Sequence, residues 1–435
     1  MLKSEIKPLL LSHQSLFQEY FNFVPRISVS FKEESGITFI SGPRHAGKTS
    51  LLRQIACDLQ GVKIYIDFED YRFSELGSEI FQVIENTLVE IYEKELKNNE
   101  VGRIYYFFDE IQIVQGWNIW IARLYKQKAV IFVSSSSASL TRQELSTRFE
   151  GRTNFYKFFP FSFKEYLLMK YSVIPKPNSI TPSLREEILC ALLRYFENGG
   201  FPEVIKTGDI KLCHKYFEEI LEKGGSAGIN FQENFQDKSA LKKLALYLIS
   251  NMACEFSIET LKTVSGVEDK DTVNRYLDYL EENFLIYRIP KLNCPSENKE
   301  NLINNHKVYI ADTGFFKAVY PNYPDSLGLR FENLIFLELL RRGKKVFYFR
   351  KKKECDFIIT EEDSSKVLAA IQTSFHLGSP ASREREVLGL MEALEEYGLE
   401  EGLILTLDDE EIIRMEGKAG KKRIVVKPAW KWMLE

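Results

Sequence analysis

The chain has 435 residues, and its 58 Lys and Arg against 62 Asp and Glu give a formal net charge of −4. This length exceeds what one hydrophobic core usually supports, so we expect two or three domains. The hydrophobic content of 44% excludes wholesale disorder, and the near-balanced charge argues against one continuous surface for a polyanion.

Six cysteines are scattered along the chain without any Cys-x-x-Cys pair. Such spacing suits neither a zinc site nor a disulfide framework, so we expect reduced thiols. The first residues lack the apolar stretch and cleavage site of a signal peptide, and no window reaches the roughly 18 apolar residues that a membrane span needs. The sequence therefore predicts a cytoplasmic protein with no membrane partner.

The first third of the chain alternates between short apolar runs and longer helical patterns. Strands are predicted at 37–41, 62–67, 103–108 and 129–133, and helices from Thr49, at about 74–97 and at 117–127. Strands joined by helices of ten or more residues are typical of βαβ units, and hence of a parallel sheet covered on both faces. We therefore predict an α/β fold, and the pattern G-x-x-x-x-G-K-[ST] at residues 42–49, a phosphate-binding P-loop, makes it the P-loop NTPase type.

A glycine-rich loop follows the first predicted strand and fits the pattern G-x-x-x-x-G-K-[ST] without a mismatch. Its glycines allow the main chain to fold around a phosphate, and the helix that begins near Lys48 adds the positive end of its dipole. Lys48 can reach the β- and γ-phosphates of ATP, and the Thr49 hydroxyl is a ligand for Mg²⁺. The predicted nucleotide-binding residues are Gly42, Pro43, Arg44, His45, Ala46, Gly47, Lys48, Thr49 and Ser50.

An acidic pair, Asp109-Glu110, follows the third predicted strand. Ligands of parallel α/β sheets bind at the carboxyl ends of the strands, where this pair would lie. An Asp there can hold the water shell of Mg²⁺, and the adjacent Glu can orient or deprotonate the attacking water. We therefore predict Thr49 and Asp109 as the Mg²⁺ residues, and Lys48, Asp109 and Glu110 as catalytic.

Four serines, residues 134–137, follow the fourth predicted strand. One of these hydroxyls can hydrogen-bond the γ-phosphate or the attacking water, and a serine-rich turn is the alternative. Arg148 and Arg152 flank the break at Gly151. An arginine here can stabilise the transferring phosphoryl group in a neighbouring subunit, or be an ordinary surface residue; Arg152 joins the candidate catalytic set.

The pattern changes after Pro160. A proline-rich stretch at 171–183 predicts a linker or exposed loop, and 184–290 is nearly all helical in pattern. A separate α/β unit follows. Its helices are predicted at 329–342 and 382–397, and its strands at 345–350, 355–360, 367–373 and 402–407.

The order of these motifs resembles a known family. The segments GPRHAGKTSLLRQ, FFDEIQIVQGWNIWIARLY, VSSSSASL and FEGRTNFYKFFPFSFKEYL look like the AAA-type ATPases of bacteria and archaea that carry a C-terminal domain named DUF4143. The segments ENGGFPEV, KVYIADTGFF, RFENLIFLELLRRGKKVFYFR and CDFII look like parts of that C-terminal domain. The resemblance covers roughly residues 15–432.

The resemblance implies an AAA-like ATPase domain at 1–170, a helical linker or lid at 171–235, a winged-helix module at 236–300 and a domain similar to the PD-(D/E)XK nuclease fold at 301–435. It assigns Ser135 as the sensor-like polar residue. This chain departs from the family at two places. The Thr-Gly-Ser that often follows the fourth strand is replaced by Val133-Ser134-Ser135, and an Asp that often precedes the helical module is missing from Lys223-Gly224-Gly225-Ser226.

The nuclease-like domain would need carboxylates that hold Mg²⁺ and a lysine that stabilises developing charge. Glu332 and Asp356 lie where that fold requires acids, but the third position has Gln372 and Ser374 in place of a Glu and a Lys. We therefore predict a degenerate nuclease site at Glu332, Asp356 and Gln372. The predicted helix 271–282 of the winged-helix module carries several carboxylates, which repel phosphates, so we favour a packing or protein-binding role over DNA.

These patterns together predict an enzyme that binds and hydrolyses ATP with Mg²⁺. A nucleotide-dependent switch or scaffold with little turnover is one alternative, and an ATP-fuelled DNA nuclease is another. A homo-oligomer, a protein partner and DNA remain open as partners.

Overall fold

The computed structural model describes residues 3–19, 24–27, 36–74, 79–92, 103–127, 129–138, 149, 153–177, 180–223, 237–292, 306–321, 327–362, 366–418 and 420–435. They belong to two compact units. The first unit comprises Met1–Phe159, Glu218–Gln236 and Glu282–Phe284, and the second comprises Pro160–Phe217, Asp237–Glu281 and Leu285–Glu435. Among the described residues, no helix combines the length and the apolar character needed to cross a bilayer.

A five-stranded sheet forms the centre of the first unit. Its strands are β1 (Ile37–Ser41), β2 (Val62–Asp67), β3 (Ile104–Asp109), β4 (Val130–Ser135) and β5 (Thr153–Lys157). The order across the sheet is β2-β3-β4-β1-β5, and every neighbouring pair is parallel. The parallel α/β sheet predicted from the sequence is therefore confirmed, with β5 as an additional edge strand.

Helices cover both faces of this sheet. They are α1 (Lys3–Gln18), α2 (Lys48–Asp58), α3 (Tyr71–Ser74), α4 (Ile80–Ile91) and α5 (Trp117–Lys126). Alternate strand residues enter two separate hydrophobic clusters, one with α2 and one with α4 and α5. Helix α1 contributes to both clusters and lies along the edge strand β2, where its Gln14 side chain accepts a hydrogen bond from the Tyr65 amide at 3.0 Å.

The first part of the second unit is mainly helical. Its helices are α6 (Phe163–Tyr171), α7 (Pro182–Asn198), α8 (Pro202–Thr207), α9 (Lys211–Lys223), α10 (Lys238–Ser250), α11 (Ile258–Ser265) and α12 (Lys270–Glu282). The last residues of α9 and of α12 are assigned to the first unit. A small antiparallel sheet follows them. Its strands β6 (Glu255–Phe256), β7 (Ile286–Pro290) and β8 (His306–Ile310) lie in the order β6-β8-β7.

The second unit ends in a mixed six-stranded sheet. The strands are β9 (Lys345–Arg350), β10 (Glu354–Thr360), β11 (Val367–Ser374), β12 (Glu401–Thr406), β13 (Glu411–Gly417) and β14 (Gly420–Pro428), in the order β13-β14-β12-β11-β10-β9. The accompanying helices are α13 (Thr313–Val319), α14 (Leu327–Arg341), α15 (Pro380–Glu396) and α16 (Ala429–Leu434). The four strands predicted for this region are present, and β13 and β14 add to them.

Candidate functional site

The P-loop, residues 42–49, connects β1 to α2 at the carboxyl edge of the parallel sheet. Gly42 is required by close packing, because a Cβ atom there would lie 2.0 Å from the carbonyl oxygen of Phe158. Gly47 has a φ of 96°, which only glycine adopts readily. It is also the N-cap of α2, and no side chain caps that helix end. The first amides of α2 therefore point toward the loop as donors for an anion.

Lys48 is buried beneath the P-loop. Its ammonium donates hydrogen bonds to the carbonyl oxygens of Gly42 at 3.1 Å and Pro43 at 3.0 Å. The same nitrogen lies 3.2 Å from Oε1 of Glu110. One cation thus joins the loop to the acidic pair that follows β3.

Thr49 and Asp109 meet directly. The Thr49 hydroxyl donates to Oδ2 of Asp109 at 2.6 Å, and the Tyr65 hydroxyl donates to the same oxygen at 3.1 Å. The Ser134 hydroxyl donates to the other oxygen, Oδ1. Burial and the nearby charge of Glu110 raise the pKa of Asp109, and the hydrogen bonds from Ser134 and Thr49 oppose that rise. An additional positive charge at this position would therefore stabilise the ionised form.

Glu110 is held by a second set of donors. Its Oε2 accepts hydrogen bonds from the Gln112 side chain at 2.6 Å and from both the amide and the hydroxyl of Ser136 at 2.9 Å. Burial alone would raise the pKa of this carboxyl, but the Lys48 charge and these hydrogen bonds outweigh it and lower the pKa. Glu110 is thus a fixed, ionised carboxylate beside the phosphate-binding loop.

The four serines after β4 have different partners. Ser134 contacts Asp109 and Ser136 contacts Glu110, whereas the hydroxyl of Ser135, the predicted sensor-like residue, donates to the carbonyl oxygen of Ser137 at 3.3 Å. The Ser135 main chain still takes part in the site, since its carbonyl accepts the Gly42 amide at 3.1 Å. The predicted arginines Arg148 and Arg152 lie outside the described residues.

The remaining predicted P-loop residues surround this centre. Arg44 forms an ion pair with Glu69, in the segment that follows β2. His45 is exposed with a φ of 61°, Ala46 is buried and Ser50 is exposed on α2.

Two family models match parts of the chain. Residues 34–167 match the family model "AAA domain" (AAA_14). This region is similar to AAA domains. Residues 190–329 match "Domain of unknown function (DUF8612)", so the family matched after the AAA region is DUF8612, where the sequence led us to expect DUF4143. The AAA match and the five-stranded parallel sheet support an AAA-type P-loop ATPase.

Two curated relatives align with most of the chain. The uncharacterized protein MJ1544 of Methanocaldococcus jannaschii is 28% identical over 410 residues, which cover 92% of this chain and 88% of that protein. An uncharacterized protein of Haemophilus influenzae is 29% identical over 363 residues, with 80% and 85% covered. Among solved structures, the Thermotoga maritima RuvB Holliday junction branch migration motor is 15% identical, covers 66% of this chain and 89% of its own, and has a TM-score of 0.29.

The AAA region has a donor set that suits a magnesium nucleotide. The uncapped first turn of α2 and the ammonium of Lys48 suit phosphates, and the oxygens of Thr49 and Asp109 suit a hard cation. Within the described residues, no three His, Cys, Asp or Glu side chains are arranged to hold a metal ion by themselves.

The second unit contains a cavity of about 540 Å³ that brings together the three residues predicted as a degenerate nuclease site, Glu332, Asp356 and Gln372. Beneath it lies Lys307, which the sequence analysis missed. Its buried ammonium is 2.9 Å from Oε1 of Glu332 and 2.5 Å from Oε1 of Glu354. Burial alone would lower the pKa of Lys307, but the surrounding carboxylates raise it. A protonated lysine therefore neutralises part of the acidic cavity.

Gln372 links two carboxylates of this cavity. Its side-chain NH₂ donates to Oδ1 of Asp356 at 3.2 Å and to Oε2 of Glu386 at 2.6 Å. Asp356 also accepts the amide and the hydroxyl of Thr373 at 2.8 and 2.6 Å. Burial and the Glu332 charge raise the pKa of Asp356 well above its usual range. Ser374 also lines the cavity, and its hydroxyl donates to the carbonyl oxygen of His376 at 3.0 Å.

Proposed function

We propose that the first unit binds and hydrolyses ATP with Mg²⁺. The observation that carries this proposal is the meeting of the P-loop and the acidic pair at one sheet edge, with Thr49 Oγ1 2.6 Å from Asp109 Oδ2 and Lys48 Nζ 3.2 Å from Glu110 Oε1. Main-chain amides of the loop, a lysine, a hydroxyl, an Asp and a Glu are the parts that phosphoryl transfer to water requires.

Each of these side chains has a separate role in the proposed reaction. The amides at the start of α2 and the Lys48 ammonium bind the β- and γ-phosphates, while Thr49 and Asp109 hold Mg²⁺, which when bound neutralises charge on the phosphate oxygens. Glu110 accepts the proton of the attacking water. Its lowered pKa favours the ionised form that this role needs, and Ser136 and Gln112 fix its direction.

For the second unit we propose a nuclease-like domain that does not cleave. The pairing of Asp356 and Glu386 through the Gln372 amide supports this, because a neutral donor lies where an active site would add a carboxylate. The Lys307 ammonium, 2.9 Å from Oε1 of Glu332, also neutralises that carboxylate. We propose further that 236–300 acts as a winged-helix module for packing or for a protein partner. In support, Arg288 is paired with Asp278 and Glu281 of α12, so this cation is already neutralised.

The ATPase proposal is tested by phosphate release from Mg-ATP. Glu110→Gln is expected to lower turnover by about 10²- to 10⁴-fold, the usual effect of removing a general base. Equal turnover in wild type and variant would contradict the assigned base. ATP binding without measurable turnover in the wild type would favour the nucleotide-dependent switch instead.

A further inference from the structure

Asp67 lies at the carboxyl end of β2, next to the acidic pair of the P-loop site. In the β2–β3 register Asp67 is the direct partner of Asp109. Opposed residues of parallel strands direct their side chains to the same face of the sheet. The end of the two strands is fixed by a hydrogen bond from the Phe68 amide to the Asp109 carbonyl at 2.9 Å. Asp67 therefore belongs to the same edge as Asp109.

The Asp67 carboxylate is only partly satisfied. Its Oδ1 accepts the Glu69 amide at 2.9 Å, while Oδ2 accepts no hydrogen bond and enters no ion pair with any residue that the structure describes. The Asp67 amide donates to Nδ1 of His13 at 3.4 Å, so helix α1 helps to fix this strand end. One carboxylate oxygen remains available on a fixed main chain.

The charges at this edge do not balance. Asp67, Asp109 and Glu110 are three neighbouring carboxylates, and among the described residues the ammonium of Lys48 is the one cation within ion-pair distance of any of them. Burial, followed by the charges of Asp109, Glu110 and Asp70, raises the pKa of Asp67 to about 7. Crowding of this kind is unfavourable in the free protein, and a divalent cation would relieve it.

We propose that Asp67 is a third metal-facing side chain, which completes with the Thr49 hydroxyl and the Asp109 carboxylate the oxygen surface that receives the hydrated Mg²⁺ of the nucleotide. This inference rests on the proposed ATPase function. Mg²⁺ retains several of its waters in such sites, and a nearby carboxylate accepts hydrogen bonds from them. The competing explanation is structural, since Asp67 also forms an Asx turn with the Glu69 amide.

Asp67→Asn separates the two explanations, because Asn keeps the shape and the oxygen that accepts the Glu69 amide but removes the charge. The assay is binding of a fluorescent ADP analogue to the full-length protein across a series of free Mg²⁺ concentrations. The Mg²⁺ midpoint is the free Mg²⁺ concentration at which the increase in affinity for the analogue is half complete. It is expected to be about tenfold higher in the variant, the low end of the effect of removing a side chain that binds the waters of a metal. The variant's affinity for the analogue in EDTA should be no weaker than that of the wild type, because the lost carboxylate no longer repels the phosphates.

Thermal unfolding without nucleotide provides the second readout. Asp67→Asn is expected to raise the melting temperature by about 2–4 °C, because it relieves repulsion. Asp70→Asn is the matched control in the same loop: Arg72 donates to Asp70 at 2.6 Å and holds the pKa of that carboxyl low, at about 2. The control should lower the melting temperature and leave the Mg²⁺ midpoint unchanged.

The outcomes are distinct. An unchanged Mg²⁺ midpoint in Asp67→Asn overturns the inference, and so does a lowered melting temperature, which would assign Asp67 to the turn. If the wild type binds the analogue with no Mg²⁺ dependence, this inference alone is overturned. If it does not bind the analogue at any Mg²⁺ concentration, the proposed ATPase function fails first and this inference fails with it.

Discussion

Replacing Glu110 by Gln is expected to change nucleotide affinity and turnover in opposite directions. Lys48 Nζ and Glu110 Oε1 are 3.2 Å apart, and both side chains are buried. Two unit charges at this separation interact by about 5 kcal/mol at an effective dielectric of about 20. In the free protein the Lys48 ammonium is therefore bound to Glu110, and the phosphates of ATP must compete with Glu110 for it.

The variant leaves the ammonium with its bonds to the carbonyls of Gly42 and Pro43. Breaking a buried ion pair typically costs about 3–5 kcal/mol, and the two remaining bonds place this case near the lower value. The free energy of unfolding without nucleotide should fall accordingly. A triphosphate then supplies the missing negative charge, so ATP affinity is expected to rise about tenfold, or about 1.4 kcal/mol.

Calorimetry with Mg-ATP, single-turnover phosphate release and thermal unfolding with and without nucleotide measure the three effects separately. Gln112→Ala is the matched control, because it removes a 2.6 Å hydrogen bond to Glu110 and leaves the charge in place. Its ATP affinity should stay close to that of the wild type. Weaker ATP binding by Glu110→Gln would refute the reasoning that Glu110 and phosphate compete for Lys48.

Three further predictions concern other parts of the molecule. Folding raises the pKa of Asp67 from 3.8 to about 7, so ionisation of this carboxyl lowers the free energy of unfolding as the pH rises from about 4 to about 7. The melting temperature of Asp67→Asn should therefore equal that of the wild type near pH 4 and exceed it by the full amount above pH 7. Gln372→Glu replaces the amide that donates to Asp356 and Glu386 by a third carboxylate. The melting temperature of this variant should fall more at pH 8 than at pH 5, and an unchanged melting temperature would contradict the role of the Gln372 amide in joining the two carboxylates. Gly42→Ala should lower the free energy of unfolding by about 1–3 kcal/mol in denaturant titrations, because its Cβ would meet the Phe158 carbonyl, whereas Gly328→Ala, with open space around it, should not.

The centre of the site was predictable because its parts are contiguous in sequence. The P-loop pattern and the Asp109-Glu110 pair each follow a strongly apolar strand, and parallel topology brings the ends of such strands together. The four-serine run was a weaker signal. The sequence did not distinguish Ser134 and Ser136 from Ser135, because which hydroxyl reaches the carboxylates depends on how the chain turns after β4.

Residues that act across elements were missed for a related reason. The role of Asp67 depends on its register opposite Asp109, and a polar residue at the end of a strand is common in any sequence. Lys307 gains its partner Glu332 from helix α14, 25 positions away, and no local pattern indicates that pairing. The strands β5 and β13 were also not predicted, since all their residues are exposed or intermediate and they give little hydrophobic signal. Strand β14 was not predicted either, because its buried residues alternate with charged and exposed ones over the first half of the strand.

The most direct test of the nucleotide site is a calorimetric titration of Mg-ATP into the wild-type protein and into Lys48→Ala. The wild type should bind with saturable heat at one site per chain, and the variant, which lacks the ammonium beneath the P-loop, should lose that heat while remaining folded by circular dichroism. A wild-type protein that gives no heat, or a variant that binds Mg-ATP as tightly as the wild type, would contradict the account.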